Sequence, residues 1–429
     1  MPEPLAARAL TRWVDPAERF AAGTASAPAA FWLDAGPDAR DGWSWLGTGE
    51  AGAVVPRDLA CAETPAVREW GPFAGGWIGW LSYDAAAGRA GAPWQGDGAG
   101  ADAGMRVDRF VAIDHARRRQ WAVAPASEID AFAAEASSWC GASPLAPDPA
   151  PTTAVARDSA PHYAALIERC RDAIREGDAY QLCLTTRFEV AGAVDAFAAY
   201  LRLRAQSPSH HGGFLRLGER ALASSTPERF LEIGGGTVRT RPIKGTRPRG
   251  TDAASDAGLA RELRESVKEQ AENVMIVDLM RNDLQRVCRP GTVTAERLLE
   301  VESYPAVHQL VSTVAGRLSP GIRIGDVLDA AFPAGSMTGA PKLSAMTILH
   351  ELENAPRGLF AGCFGWIGDD GAADLAMVIR SIVTHPGGAY VGAGGGITWR
   401  SEAAAEVAEV ALKAARPLAA VGARLPPGW

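Results

Sequence analysis

HYAALIERCRDAIREGDAYQLCLTTRFEV, residues 162–190, decides the fold class. Its first half puts Tyr163, Leu166, Ile167, Cys170 and Ile174 on one helical stripe. After Asp178 the period changes to two, with Leu182 and Leu184 on one face of a strand and Gln181 on the other. Strand-like and helix-like runs keep alternating downstream. The reading is α/β or α+β, with large sheets and helices outside them.

Upstream the style differs. Short Trp-rich runs such as FAGGWIGWLSYDAA (73–86) suggest strands and turns. The seam between the two styles is GASPLAPDPAPTTAVARD (141–158), whose four prolines interrupt hydrogen-bonded structure and mark a linker after an N-terminal region, residues 1–140. With 429 residues the chain could hold two or three domains, although single large α/β units reach this size. The net charge of -7 and the lack of a basic block argue against a nucleic-acid partner. No apolar run is long enough for a membrane helix, and MPEPLAARALTRWVDPAERF has no secretory core. Six cysteines without a C-x-x-C pair read as reduced thiols of a cytoplasmic protein.

Three stretches carry candidate chemistry. In TRPIKGTRPRG (240–250) Lys244 stands between Ile243 and Gly245; it is either a solvated loop lysine or a nucleophile beside an anion. GSMTGAPKLS (335–344) fails the spacing of a phosphate loop and reads as a tight turn exposing Ser336 and Thr338. GAGGGITWRSEAAAEVAEVALKAA (392–415) joins a glycine-rich run, open to close approach by a ligand, to a helix with Ser401 as N-cap. On that helix Glu402, Glu406, Glu409 and Lys413 share a stripe that a solvated face would also explain.

A second helix bears on that choice. In SVKEQAENVMIVDLMRNDL (266–284) Val267, Ala271, Val274 and Val277 form an apolar stripe, and Glu269 and Glu272 lie opposite it. The opposite stripe continues into Ile276 and Leu279, so the helix is apolar on both sides and its glutamates face a cleft bordered by protein. Carboxylates from two helices facing one another repel unless a divalent cation joins them, and all-oxygen ligation suits Mg²⁺.

PIKGTRPRG, EQAENVMIVDLMRNDLQRV, SYPAVHQLVSTV, FPAGSMTGAPKLSAM, MVIRSI and GAGGGITWRSEAAAEVAEVALKA occur in this order and closely resemble the chorismate-utilising enzymes. The resemblance covers roughly residues 157–415. It implies an anthranilate synthase component I-like two-sheet core with helices outside, a chorismate-binding catalytic region over 159–416, and an N-terminal region that joins the same core. Anthranilate synthases usually read I-A-G-T where this chain has Ile243–Thr246, and aminodeoxychorismate enzymes typically read I-K-G-T. The expected reaction is therefore amination of chorismate to 4-amino-4-deoxychorismate, with an anthranilate synthase component and a non-catalytic anion-binding protein as alternatives.

The resemblance also assigns roles. Lys244 becomes the nucleophile, Glu228 of TPERF the acid/base group, and His308 a histidine near the ring, although alone it could be a satisfied core histidine. Glu269, Glu272, Glu406 and Glu409 surround Mg²⁺. Arg380 and Lys413 hold carboxylates, and Gly245, Thr246 and Gly394, Gly395 and Gly396 offer backbone or hydroxyl donors, with Ser336 and Thr338 as further contacts. Gln181 falls where isochorismate and salicylate synthases carry a water-activating lysine. Phe360 replaces a family Tyr, which removes a phenolic hydrogen bond. FWLDAG (31–36) lies where relatives bind tryptophan but matches poorly. Ammonia is expected from a separate glutamine amidotransferase subunit: the nearest imitation of a glutaminase turn, AGCFG (361–365), lacks the first glycine.

Overall fold

The computed structural model describes residues 3–64, 67–96, 101–141, 144, 146, 148–304 and 307–429. The helix read from residues 162–178 runs Ala160–Glu176. Ser159 caps it by accepting the His162 N–H, and Gly177 closes it in the left-handed region at φ 91°. Tyr163, Leu166, Ile167 and Cys170 are buried, each contributing roughly 1.5–3 kcal/mol where the side chain is large and apolar. The strand that follows, Gln181–Ala191, sends Leu182 and Leu184 into the same core.

Two large sheets organise the described residues. The first has twelve strands. Its spatial order runs from Leu5–Leu10 through the strands at 119–125, 110–114, 43–48 and 29–34 to those at 212–217, 220–224, 381–385, 388–397 and 181–191. The second has ten strands, in which Gly76–Leu81 pairs with Cys363–Gly368. Both sheets thus mix strands from before and after the proline-rich seam. Trp45, Phe73, Trp80, Phe110 and Trp366 fill one core shared by the two regions.

Several expectations change. The seam is not wholly a linker: Thr152–Thr153 pairs with Ala423–Arg424, and Val155–Ala156 pairs with the strand Gln181–Ala191. Its residues 142, 143, 145 and 147, like 305 and 306 of SYPAVHQLVSTV, lie outside the described residues. Upstream, Tyr83–Arg89 is a helix capped by Ser82 rather than a turn. The glycine-rich run is a strand, Gly388–Ile397, in full register with Gln181–Ala191. Ser401 is not the N-cap of the helix Ala403–Ala420; Glu402 is, without a side-chain bond.

The glutamate helix, Val267–Gln285, leaves its expected apolar stripe uncovered over its first turns. Val267 is 73% exposed and Val274 45%, whereas Asn273, Ile276, Val277 and Met280 are buried. Asn273 fixes this orientation. Its amide donates to Leu310 O at 3.3 Å, and its Oδ1 accepts from Ser312 Oγ at 2.5 Å. A buried polar group that satisfies backbone and hydroxyl partners outweighs two exposed valines.

Candidate active site

A cleft of about 410 Å³ lies between the glutamate helix, the helix Ala403–Ala420, the strand Ile243–Pro248 and the 3-10 turn Gly335–Met337. Glu228, Lys244, Gly245, Thr246, Glu269, Glu272, Ser336, Phe360, Arg380, Gly394, Gly396, Glu406, Glu409 and Lys413 all line it. A larger cavity of about 690 Å³ lies elsewhere, against Trp43, Trp45, His210 and Arg229. It holds none of the predicted site residues, so the smaller cleft is the candidate site. Leu33, Asp34 and Ala35 of FWLDAG border that larger cavity, with Asp34 tied to Arg204 at 2.6 Å and Tyr200 at 2.9 Å.

Lys244 sits on a β-bulge. Ile243 pairs with Val311 and Thr246 with Gln309, which leaves one extra residue on the lysine's strand. Gly245 absorbs the distortion at φ 87°, and a Cβ there would meet Leu263 at 2.8 Å and Glu269 at 2.9 Å. Gly396 forms the opposite wall: its Cβ would sit 2.6 Å from Gln181 Nε2 and 3.3 Å from Lys244 Nζ. Gln181 is buried, and neither atom of its amide finds a protein partner. The arginines around Lys244 are each engaged: Arg241 with Glu302, Arg247 with Glu262 and Glu269, Arg249 with Asp256.

Glu228 is buried and accepts a hydrogen bond from Ser336 Oγ at 3.0 Å. Burial pushes its carboxyl up to about 7, against the opposing pull of that hydroxyl and of the Lys244 and Lys413 charges. The group is thus divided between acid and carboxylate near neutrality, the property a general acid/base needs.

The four glutamates come from two helices, and each has a partner. Arg247 lies 3.5 Å from Glu269 and Lys268 3.9 Å from Glu272; Ser401 donates to Glu406 at 2.8 Å, and Lys413 lies 2.7 Å from Glu409. Burial raises the Glu272 carboxyl, Lys244 and Lys268 oppose it, and Glu269 and Glu406 add to it. Burial likewise raises Glu406, against the Ser401 bond and with Glu409 adding to the rise. At Glu409 burial pulls upward, but Lys413 and the other lysines win and the net shift is down. Among the described residues no three His, Cys, Asp or Glu side chains are gathered into a ready metal cluster. The donors are nevertheless all hard oxygens, and their mutual repulsion is the kind a divalent cation relieves.

Among the other predicted residues, Gln181, Thr338, His308 and Gly395 are absent from the lining of the cleft. Ser336 and Thr338 are buried rather than exposed by their turn. Thr338 donates to Ala334 O and Gly335 O, bonding back onto its own segment. His308 does not line the cleft; one ring nitrogen meets Ser303 Oγ at 2.8 Å and the other Asp256 at 2.9 Å, which is the satisfied-histidine alternative. Gly395 lies against Glu406, 3.1 Å from where its Cβ would be. Lys413 donates to Gly394 O at 2.8 Å, which ties the lysine to that glycine's carbonyl. Arg380 reaches the cleft from a backbone at φ 52°.

Sequence reading missed Lys268, Gln309 and Cys183 in the lining. Lys268 immediately precedes Glu269, but an i,i+4 Lys–Glu pair reads as surface chemistry unless the orientation of the helix is known.

Residues 16–419 match the chorismate binding enzyme family. The aminodeoxychorismate synthase of Streptomyces pristinaespiralis is 38% identical over 94% of this chain, and the chain spans 63% of that relative's length. Aminodeoxychorismate synthase component 1 of Klebsiella aerogenes is 39% identical over 85% of this chain and 81% of its own. Anthranilate synthase component I of Streptococcus pneumoniae superposes with a TM-score of 0.74 at 27% identity, covering 96% of this chain and 92% of its own.

Proposed function

Because this chain belongs to the chorismate-binding enzymes, we propose that it aminates chorismate to 4-amino-4-deoxychorismate, the precursor of p-aminobenzoate and folate. The observation that carries the reading is that Lys244 and Glu228 share one cleft with four glutamates and four further cations, Arg247, Lys268, Arg380 and Lys413. Chorismate is a dianion, and the five cations of the cleft face five carboxylates, so a bound divalent cation would supply the net positive charge.

The chemistry follows from the leaving group. Hydroxide leaves poorly, so Glu228 gives its proton to the C4 hydroxyl, which departs as water. Neutral Lys244 forms a bond to C2 as both ring double bonds shift, C1=C2 to C1=C6 and C5=C6 to C4=C5, and the C4–O bond breaks. Ammonia then attacks C4, both double bonds return, and the C2–N bond to Lys244 breaks. The new amine loses its extra proton to Glu228, which restores the acid. Chorismate and ammonia thus give the amino compound and water. Glu269, Glu272, Glu406 and Glu409 would hold Mg²⁺, which would neutralise and orient the ring carboxylate. Arg380 and Lys413 would pair with carboxylate, while Phe360 closes one wall without a phenolic donor.

Ammonia would come from a separate glutamine amidotransferase subunit, a reading supported by the name component 1 carried by a relative of similar length. Cys363 is fully buried on a strand and its thiol is pushed well up by burial, which unfits it for glutamine hydrolysis. No helix among the described residues is long and apolar enough to cross a membrane, and the six free cysteines support a cytoplasmic setting.

Product analysis with chorismate, Mg²⁺ and ammonium tests this. Aminodeoxychorismate is expected. Anthranilate with pyruvate would favour the second reading, suggested by the fold shared with an anthranilate synthase component I. Chorismate binding without turnover would leave an anion-binding protein.

A further inference from the structure

Arg357 and Glu353 form an ion pair whose side chains are 1% and 4% exposed. Removing two charges from water costs several kcal/mol per ion, so such a pair is a poor device for stability alone. What distinguishes this one is where its remaining hydrogen bonds go. Arg357 Nε and Nη2 engage the two oxygens of Glu353 at 2.8 and 2.7 Å. Nη2 also donates to Cys183 O at 2.8 Å, and Nη1 donates to Met337 O at 2.6 Å. The guanidinium lies 4.2 Å from the centre of the Tyr83 ring. Glu353 in turn accepts from the N–H and hydroxyl of Thr185 at 2.8 and 2.9 Å. Asp84 completes the frame by accepting the N–H groups of Arg357 and Gly358 at 3.1 and 2.7 Å.

The two carbonyls belong to segments that line the cleft: Cys183 on the strand Gln181–Ala191 and Met337 in the turn Gly335–Met337. That turn is only three residues long and carries Ser336, whose hydroxyl reaches Glu228. Holding one of its three carbonyls on a rigid, buried fork fixes the direction of its central side chain. We propose that Arg357 is a positioning residue for Glu228: by bonding the Met337 and Cys183 carbonyls together, it locks the turn that presents Ser336 Oγ to Glu228 Oε1.

This deepens the amination reading and rests on it only for the role of Glu228 as acid. The positioning itself has a signature independent of turnover. The Ser336 bond favours the carboxylate, while burial favours the acid. Facing the same cleft are the four glutamates, Lys244, Arg247, Lys268, Arg380 and Lys413, and none of these is bonded to Arg357. Loosening the turn therefore changes one input to Glu228, its hydroxyl donor.

The test uses the full chain labelled with ¹³C at the glutamate δ-carboxyl, with the Glu228 resonance assigned by its loss in Glu228→Gln. Arg357→Lys keeps a cation against Glu353 but cannot reproduce the planar fork to two carbonyls. It is expected to raise the Glu228 titration midpoint by about one pH unit. Ser336→Ala should raise it by a similar amount, and the double variant should go no further, because both act through one bond. An unchanged midpoint in Arg357→Lys, or shifts that add, would overturn the proposal. Should Arg357→Lys fail to fold, Glu353→Gln weakens the same anchor and must shift the midpoint upward; no shift there overturns it equally. Product analysis runs separately: a chain that makes anthranilate but shows the non-additive shift refutes the amination reading alone, and the converse result refutes only the positioning.

Discussion

Lys413 Nζ stands 2.7 Å from Glu409 Oε1, one helical turn apart and inside the cleft. Glu402 lies on the same sequence stripe but occupies the exposed N-cap position. Glu409→Gln is expected to weaken Mg²⁺-dependent chorismate binding at least tenfold, and Glu402→Gln less than twofold. Calorimetric titration of chorismate at several Mg²⁺ concentrations measures both. Equal effects would return the stripe to a solvated face.

Lys244→Ala should abolish aminodeoxychorismate formation, or cut it by more than about a hundredfold, at saturating ammonium. Chorismate and Mg²⁺ binding should persist within a few-fold, because the glutamates and Arg380 are untouched. Full turnover in this variant would take the lysine out of the chemistry.

Glu228 links activity and stability to pH. If it acts as acid, the rate of the chemical step should fall as pH rises above about 7, where the carboxyl loses its proton. For stability, the folded-state value lies above the ordinary one, so the folded chain binds this proton more tightly than the unfolded chain. That contribution is complete below about 4.5 and is lost as pH rises through about 7. Glu228→Gln should match the parent near pH 4.5 and exceed it at pH 8, by something of the order of 3 kcal/mol for so buried a group. Asp283 and Asp374, raised to about 6 by burial, give a slope of the same sign and remain in the variant. The difference between the two urea-denaturation curves against pH therefore isolates Glu228.

Purified chain should use ammonium and not glutamine, and Cys363→Ser should leave the ammonium-dependent rate unchanged. Glutamine use should require addition of a glutaminase subunit. Glutamine-dependent product from the chain alone, lost in Cys363→Ser, would contradict the burial of that thiol.

The two faces of the glutamate helix separate in stability. Val274→Asp should cost less than about 0.5 kcal/mol, since the side chain is half in water, while Asn273→Ala should cost about 1–3 kcal/mol through loss of its bonds to Leu310 O and Ser312. Chemical denaturation of both variants checks the order.

That helix also shows what sequence could and could not convey. Alternation at Gln181, Leu182 and Leu184 gave the strand and the face that enters the helix-covered core, because a strand has only two faces to choose between. A helix beside a polar cleft has no such restriction. There the glutamates turn inward and two valines turn outward, which inverts the usual meaning of amphipathicity. Ordered motifs located Lys244, Glu228 and the four glutamates, but His308 looked the same in sequence whether it faced the cleft or Asp256. Arg357 escaped notice because Glu353 and Arg357, four residues apart, have the spacing of an ordinary solvated pair; only the fold reveals that the pair is buried.

The pairing of Gly76–Leu81 with Cys363–Gly368 has a kinetic meaning. Leu81 bonds across to Cys363, more than 280 residues later in the chain. During synthesis at about 5–20 residues per second, the early strand waits roughly 15–60 s for its neighbour. Through that interval it presents Trp77, Ile78 and Trp80 on an unpaired edge. Closing so long a loop also carries a large entropic cost ahead of any native reward, so folding of this chain is slow and exposed to aggregation. Nascent chains of this architecture are thus natural clients for chaperones, and fragments cut at the proline-rich seam would each leave both sheets without their central partners.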